Sequence, residues 1–189
     1  MLKINDFKTK HELRKYAKNV RSELDMQFIS SKIVDNIKNQ PFFEKAENIL
    51  IFYPFNSEPN LLGLMVSTGK NWFLPRVDLK NQILTIHPFQ SNLNLVKNKW
   101  GVPEPSEDNK ITDHAIIDLV AVPALMADRS GHRLGYGAGF YDRFLPSLSK
   151  SCVKFIPVPD ELFVDCLPCD VWDIQVDWVI TESGTAGVI

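Results

Sequence analysis

Three glycines alternate just before a predicted helix, and this spacing restricts the possible folds more than any other feature of the chain. Gly135, Gly137 and Gly139 follow a strongly apolar strand predicted at residues 117–122 and precede a helix predicted at residues 140–148. Glycine lets the backbone approach a ligand closely, and the first N–H groups of a helix favour negative charge. The connection is also longer than most strand-to-helix loops, as functional loops often are. The pattern indicates either a phosphate-binding loop in an α/β domain or a merely flexible turn.

Strands and helices alternate along the rest of the chain. Its 189 residues suit one domain, and the alternation predicts an α/β fold with a mostly parallel sheet. The polar stretch 97–112 contains two prolines and is expected to be a long surface loop. The other predicted helices cover residues 8–24, the segment from an N-cap at Asp25 through residue 38, and residues 61–68; the other predicted strands cover residues 48–53, 72–74, 83–87, 153–158 and 176–181.

Charge and composition exclude several classes of protein. Residues 1–21 carry seven basic side chains against two acidic ones, although the net charge of the chain is -2. This asymmetry favours an anion held locally over a broad nucleic-acid-binding surface. No apolar run is long enough for a membrane span, and no apolar segment of a secretory signal follows the basic N-terminus. Three cysteines, an odd number, argue against a disulfide framework, so we expect a cytoplasmic protein.

Basic side chains lie where they could bind the anion. Lys10, Arg14 and Arg21 fall on one flank of the first predicted helix, beside its apolar stripe. Such a cluster is either a solvated helix face or a set of cations that reach toward a cleft. Arg133 and Arg143 flank residues 135–139, here called the glycine loop, and could add charge-assisted hydrogen bonds.

Other residues have two possible roles each. Asp142, in the first turn of the predicted helix, either complements the helix dipole or binds Mg²⁺. Glu58 follows the first strand, where open α/β sheets bind ligands, or it is a solvated loop carboxylate. Trp100 either anchors a loop or offers a stacking surface to a flat ring. Cys166 and Cys169 form a C-x-x-C without the partners of a zinc site, so they are either a redox pair or two incidental cysteines.

The glycine loop is part of a longer motif. Residues 133–143 read RLGYGAGFYDR, which resembles the hallmark R-L-G-x-G-[K/G]-G-[YF]-Y-D-R of the 5-formyltetrahydrofolate cyclo-ligase family. The resemblance spans nearly the whole chain and treats residues 1–189 as one domain. Weaker matches follow in the family's order: Lys10 and Arg14 in K-x-x-x-R, Glu58 after the first strand, Leu74, Pro75 and Val77 in L-P-x-V, Gly101, Glu104 and Pro105 in G-x-x-E-P, and Asp177, Val179, Ile180 and Thr181 in D-x-V-[IV]-T.

The resemblance implies a fold and a reaction. Members of the family have a three-layer α/β sandwich with a mostly parallel, Rossmann-like sheet. They convert 5-formyltetrahydrofolate to 5,10-methenyltetrahydrofolate in folate one-carbon metabolism, with ATP as co-substrate, Mg²⁺ as cofactor, and ADP and phosphate as products. The implied partners are therefore small molecules, with no nucleic acid and no membrane, and a monomer is expected.

The resemblance also implies roles for individual residues. Asp142 and Asp177 would bind Mg²⁺. The ATP-binding residues would be Lys10, Arg14, Arg133, Leu134, Gly135, Tyr136, Gly137, Ala138, Gly139, Phe140 and Tyr141. The folate-binding residues would be Tyr53, Glu58, Trp100, Tyr136, Gly137, Ala138, Gly139 and Phe140.

Two departures from the family pattern keep alternatives open. Ala138 stands where many members have Lys, and residues 123–128 read PALMAD where P-G-[LV]-A-F-D is usual. These differences leave room for a non-catalytic folate- or nucleotide-binding relative, or for a related ATP-dependent enzyme that acts on another heterocycle.

Overall fold

A seven-stranded sheet forms the centre of the computed structural model, which describes residues 9–66, 69–90 and 95–188. In chain order the helices are α1 (Lys10–Glu23), α2 (Met26–Lys38), α3 (Pro41–Lys45) and α4 (Phe140–Phe144). The strands are β1 (Asn48–Leu50), β2 (Asn71–Asp78), β3 (Ile83–Pro88), β4 (Leu95–Lys97), β5 (Pro103–Pro105), β6 (Leu119–Ala121), β7 (Met126–Asp128), β8 (Arg133–Leu134), β9 (Val153–Pro157), β10 (Phe163–Val164), β11 (Trp178–Ile180) and β12 (Thr185–Gly187).

The central sheet is mostly parallel, as the sequence predicts. Its strand order is β12-β11-β9-β6-β1-β2-β3. The five inner strands, from β11 to β2, run parallel to one another, whereas β12 and β3 pair antiparallel at the two edges. Parallel neighbours require crossover connections, which place other elements over the faces of the sheet.

Each face of the sheet is covered, which gives the three layers expected of the fold. Successive side chains of a strand point to opposite faces, and Leu50 and Val120 accordingly pack in a cluster with Leu13 of α1 and Phe144 of α4. Ile49 of β1 belongs to the second cluster, in which α2 and α3 bury their apolar side chains. The α/β sandwich is therefore confirmed.

The first two helices begin at side-chain caps. Thr9 accepts a hydrogen bond from the backbone N–H of Glu12, and the Glu12 carboxylate accepts one from the backbone N–H of Thr9, both at 3.2 Å. Asp25 caps α2 by accepting from the backbone N–H of Phe28 at 3.0 Å, as predicted. Helix α1 starts at Lys10, and Lys8 lies outside the described residues. No helix in the described ranges is long and apolar enough to cross a membrane.

Two predicted helices are shorter than expected. The segment predicted at residues 140–148 is an α-helix only to Phe144 and continues as a 3-10 turn, Leu145–Ser147, because Pro146 has no N–H for an α-helical hydrogen bond. The segment predicted at residues 61–68 is a 3-10 turn, Leu62–Val66. Ser67 and Thr68 lie outside the described residues.

Several elements are absent from the sequence prediction. The stretch between β6 and the glycine loop contains β7 and β8, which join β10 in a second, three-stranded sheet. The stretch 97–112, expected to be only a loop, contains β5, which pairs with β4. The prediction also lacks α3 and β12. These pieces are two to five residues long, too short to show a hydrophobic period.

Gly131→Ala is expected to lower the free energy of unfolding by about 3 kcal/mol. Gly131 has φ +77°, and an added Cβ would lie 2.6 Å from the backbone oxygen of Val176 and 2.9 Å from Val188 Cγ2. The measurement is urea unfolding of the variant beside Gly184→Ala, where a Cβ would meet nothing within 4 Å. Equal midpoints for the two variants would contradict the expected strain.

Candidate functional site

A cleft of about 850 Å³ opens where β1 and β6 end. Phe52 and Tyr53, just past β1, and Pro123, just past β6, form part of its wall. This is the edge at which open α/β sheets bind ligands. The predicted site residues that line it are Lys10, Arg14, Tyr53, Glu58, Trp100, Arg133, Leu134, Gly135, Tyr136, Gly137, Ala138, Gly139, Phe140, Tyr141 and Asp142.

The glycine loop is held open toward the cleft and braced by α1. Gly137 has φ +102°, and Gly139, at the N-cap of α4, has φ +66°, conformations that L side chains rarely adopt. Arg14 Nε donates a 2.9 Å hydrogen bond to the carbonyl of Gly135, and a Cβ on Gly137 would lie 3.3 Å from Arg14 Cζ. The guanidinium therefore lies against the loop backbone, where a bound anion would meet both.

Arg133 and Asp142 form an ion pair in the wall of the cleft. Arg133 is buried, and its Nη1 donates to the carbonyl of Ile174 at 2.6 Å while Nη2 bonds Asp142 Oδ1. The same carboxylate oxygen accepts from the Ile174 backbone N–H at 3.4 Å. These bonds hold the first turn of α4 against the segment before β11. Both bonds to Asp142 are made to Oδ1, and Asp142 Oδ2 takes part in neither of them.

Lys10 enters the cleft already paired with two carboxylates. Its Nζ lies 2.7 Å from Asp170 Oδ2 and 2.8 Å from Asp173 Oδ2. Burial disfavours the charged ammonium, but the hydrogen bonds to Asp170 and Asp173 outweigh it, and the pKa of Lys10 is raised. Sequence reasoning missed this acidic pair and Trp172 between them, all of which line the cleft. The only available signal was the spacing of two acids three residues apart.

Glu58 lies in the cleft with its carboxylate partly desolvated. Its Oε2 accepts from the backbone N–H of Phe55 at 2.9 Å, and the carboxylate is hydrogen-bonded to the Tyr136 hydroxyl. Burial raises the pKa of Glu58, although these hydrogen bonds and the nearby Arg21 guanidinium oppose the shift. The carboxylate is therefore an acceptor at a partly dry site, not a solvated loop charge.

The predicted cationic flank of α1 divides in two. Arg14 and Lys10 line the cleft, whereas Arg21 is 1% exposed and lies in the interior. Arg21 Nη2 donates to the carbonyls of Ala124 and Leu125, the latter at 3.2 Å. Arg21 therefore follows neither interpretation of the flank, because it is buried and donates its hydrogen bonds to these carbonyls and to the Tyr136 hydroxyl.

Trp100 lines the cleft and is partly exposed. The residue is 47% exposed, and the Lys99 ammonium lies 4.4 Å from its ring centroid. Asn98 Oδ1 accepts from the backbone N–H of Trp100 at 2.9 Å, and Asn98 Nδ2 donates to the buried carboxylate of Glu104 at 3.0 Å. The tryptophan thus sits on an ordered turn and remains available to a flat ring.

Among the predicted site residues, all of which the structure describes, Asp177 is not part of the cleft lining. It precedes β11, and its carboxylate accepts from the Lys154 backbone N–H at 2.7 Å and pairs with Lys154 Nζ at 3.2 Å. Lys154 thus holds this carboxylate in the present arrangement, and the metal site shared by Asp142 and Asp177 stays a prediction.

Comparisons with known proteins agree with the loop motif. The model of the 5-formyltetrahydrofolate cyclo-ligase family matches residues 6–182. The 5-formyltetrahydrofolate cyclo-ligase of Haemophilus influenzae is 27% identical over 184 residues, 87% of this chain and 91% of that protein. A relative from Schizosaccharomyces pombe is 26% identical over 128 residues, 65% of this chain and 62% of that protein.

A solved structure extends the likeness to three dimensions. The NMR structure of Aquifex aeolicus 5,10-methenyltetrahydrofolate synthetase matches with a TM-score of 0.81 and 29% identity, covering 95% of this chain and 92% of that one. The family match covers far more than half of the chain and includes the motif at residues 133–143 that predicted it. The chain therefore belongs to the 5-formyltetrahydrofolate cyclo-ligase family of enzymes.

Proposed function

We propose that the protein converts 5-formyltetrahydrofolate to 5,10-methenyltetrahydrofolate with ATP and Mg²⁺, releasing ADP and phosphate. The observation that carries the proposal is one cleft of about 850 Å³ that is lined by the glycine loop, its cations and the carboxylate of Glu58, which is hydrogen-bonded to Tyr136 of that loop. A volume of this order accommodates ligands of drug size and larger. We include in the proposal a cytoplasmic monomer that acts on small molecules in one-carbon metabolism.

The phosphates of ATP would bind at the glycine loop. Arg14, Arg133 and the backbone of residues 134–141 would surround them, with charge-assisted hydrogen bonds from the guanidinium groups. Lys10 would join once phosphate oxygens replace Asp170 and Asp173 as its partners. Arg143 Nη2 donates to the carbonyl of Ala138 at 3.1 Å, so a cation already lies where many family members have Lys. This contact supports nucleotide binding at the loop despite Ala138.

The residues present fit a magnesium ion that arrives with the nucleotide. Within the described residues no three His, Cys, Asp or Glu side chains are grouped to hold a metal alone. Magnesium is commonly held by one or two carboxylates together with substrate phosphates. Asp142 Oδ2 would supply one such ligand, and Asp177 a second if its pair with Lys154 opens. The ion would neutralise charge on the transferred phosphoryl group.

The folate would bind on the side of Glu58 and Trp100. A carboxylate has about four acceptor positions, of which the Phe55 N–H and the Tyr136 hydroxyl use two. The remaining two suit the paired N–H donors of a pterin ring. Tyr53, Trp100 and the loop 136–140 complete this side of the cleft and offer apolar and aromatic surface.

The reaction then needs positioning more than a nucleophilic side chain. The formyl oxygen attacks the γ-phosphorus, and the bond between that phosphorus and the ADP oxygen breaks. N10 next attacks the activated formyl carbon and loses its proton. The carbon–oxygen bond then breaks, and the phosphate leaves with that proton as hydrogen phosphate. The formyl oxygen leaves as part of the phosphate. Each bond that forms is matched by one that breaks, and no oxidant or reductant is needed.

Oxygen labelling tests this sequence of bonds. With 5-[¹⁸O]formyltetrahydrofolate as substrate, the proposal requires one ¹⁸O atom in each phosphate released, measured by mass spectrometry. Unlabelled phosphate that forms at the rate of ring closure would contradict attack by the formyl oxygen. Phosphate release without folate would indicate an ATPase instead.

A double substitution, Cys166→Ser with Cys169→Ser, is expected to leave kcat and both KM values within twofold of wild type. Both cysteines are exposed and free, and neither lines the cleft. The measurement is steady-state kinetics with and without a thiol reductant. A large loss of turnover, or a requirement for reductant in the wild type alone, would instead support the thiol-redox alternative.

A further inference from the structure

A buried arginine lies behind the folate side of the cleft, and the proposed reaction gives it no role. Arg21 is 1% exposed, and its Nε is buried without a hydrogen-bond partner. Its Nη2 donates to the carbonyls of Ala124 and Leu125, in the segment that follows β6. Burying a guanidinium is costly unless its N–H groups are hydrogen-bonded or its charge is paired. A further contact of Arg21, to Tyr136, links it to the cleft.

Arg21 connects to Glu58 through a single side chain. Arg21 Nη1 donates to the Tyr136 hydroxyl at 3.4 Å, and that hydroxyl in turn is hydrogen-bonded to the Glu58 carboxylate. This series of hydrogen bonds, Arg21–Tyr136–Glu58, therefore runs from helix α1 through the glycine loop to the segment after β1. Three separate parts of the chain are held in register at the point where the folate head group would bind.

We propose that Arg21 is a positioning residue for the folate head group, acting through the Tyr136 hydroxyl to orient the Glu58 carboxylate. This inference rests on the proposed function, because it deepens the role given there to Glu58. Arg21 itself need not touch the ligand. Its effect depends on the hydroxyl of Tyr136, which accepts from the guanidinium and donates to the carboxylate.

The charges around Glu58 set the direction of the effect. The titratable groups that act on it are Arg21 from α1 and Tyr136 from the loop, and the charge of Glu58 in turn acts on Tyr141 of α4. Burial raises the pKa of both tyrosines, and the negative charge of Glu58 adds to the rise, so both stay neutral. Arg21 is thus the cation that opposes the desolvation of Glu58, and Tyr136 is a neutral donor.

Removing either group should raise the pKa of Glu58. Loss of the Arg21 charge removes an attraction for the ionised form, and loss of the Tyr136 hydroxyl removes a hydrogen bond to it. The carboxylate would then take up its proton at a higher pH. Since a protonated carboxyl has lost acceptor capacity, folate binding would weaken from a higher pH downward.

Tyr136→Phe tests the series while Arg21 stays in place. We expect the pKa of Glu58, followed by the ¹³C shift of its carboxyl carbon in the ligand-free protein, to rise by about one unit. Arg21→Met should produce a rise in the same direction where the protein remains folded by circular dichroism. An unchanged Glu58 titration in Tyr136→Phe would overturn the inference whatever the protein binds.

Binding of 5-formyltetrahydrofolate supplies the second readout. At pH 6 we expect Tyr136→Phe to raise its Kd about 5- to 10-fold, with a smaller change at pH 8, because one hydrogen bond to a charged group is lost. Arg129→Met, at an exposed ion pair with Asp165, is the matched control and should bind as wild type. A variant Kd that tracks wild type at every pH would overturn this inference alone. A wild-type protein that binds no folate would overturn the proposed function together with the inference.

Discussion

Asp142→Asn is expected to lower kcat by at least about 100-fold and to raise the Mg²⁺ concentration needed for half-maximal rate. The amide keeps the size of the side chain and can still accept from the Ile174 N–H, but it removes the negative charge. The variant therefore loses a metal ligand and leaves the buried Arg133 guanidinium without its ion-pair partner. Steady-state kinetics at saturating folate, with Mg²⁺ titrated, measure both effects.

Two further variants make this result specific. Asp165→Asn changes an exposed carboxylate that pairs with Arg129 and should retain wild-type kinetics. Asp177→Asn should raise the Mg²⁺ requirement if that carboxylate leaves Lys154 to bind the ion, and should alter only stability if it does not. A kcat for Asp142→Asn within threefold of wild type, with the same Mg²⁺ dependence, would remove Asp142 from the metal site.

Glu58→Gln is expected to weaken the binding of the folate substrate. The Kd for 5-formyltetrahydrofolate should rise about 10- to 100-fold, the effect of losing charge-assisted hydrogen bonds worth roughly 1.5–3 kcal/mol. Glutamine has nearly the same shape, but its amide nitrogen would oppose a pterin donor instead of accepting from it. Isothermal titration calorimetry with folate and, separately, with ADP measures the selectivity of the loss.

For Glu58→Gln we expect a weaker affinity for 5-formyltetrahydrofolate and an unchanged affinity for ADP. Glu107→Gln is the matched control, because that carboxylate is largely exposed and its pair with Arg76 is 3.5 Å long. Equal losses for folate and ADP would indicate a general distortion of the cleft. Wild-type affinity for both ligands would place the folate elsewhere.

The parts of the site that could be predicted are those with local signals. The glycine spacing and the motif at residues 133–143 located the loop, and Asp25 correctly marked the start of α2. Glu58 and Trp100 followed from their positions after a strand and within a polar loop. Each of these inferences needs only neighbours in sequence, where propensity and spacing act.

The parts that could not be predicted depend on contacts between distant segments. Lys10 lies 160 residues from Asp170, and Arg21 lies 103 residues from Ala124. Helical spacing placed Arg21 on the same flank as Arg14, but it carries no information on which flank residue a later segment will cover. The paired state of Asp177 likewise depends on Lys154 in the neighbouring strand β9.

The altered segment PALMAD illustrates how backbone contacts tolerate sequence change. Ala124 stands where glycine is usual in the family, but its φ is not positive, so the position does not require glycine. Arg21 binds the carbonyls of Ala124 and Leu125, not their side chains. Asp128 is fully buried and accepts from the backbone N–H groups of Ser130, His132 and Leu167 at 2.9 Å each. The backbone of this segment is thus fixed by bonds that the departures leave intact.

A direct assay tests the central claim. The purified protein would be mixed with 5-formyltetrahydrofolate, ATP and Mg²⁺, and the near-ultraviolet absorbance of 5,10-methenyltetrahydrofolate followed, with controls that omit ATP or the metal. We expect absorbance to rise only in the complete mixture, and to rise much more slowly with Asp142→Asn. A flat trace from folded wild-type protein in the complete mixture would contradict the proposed reaction.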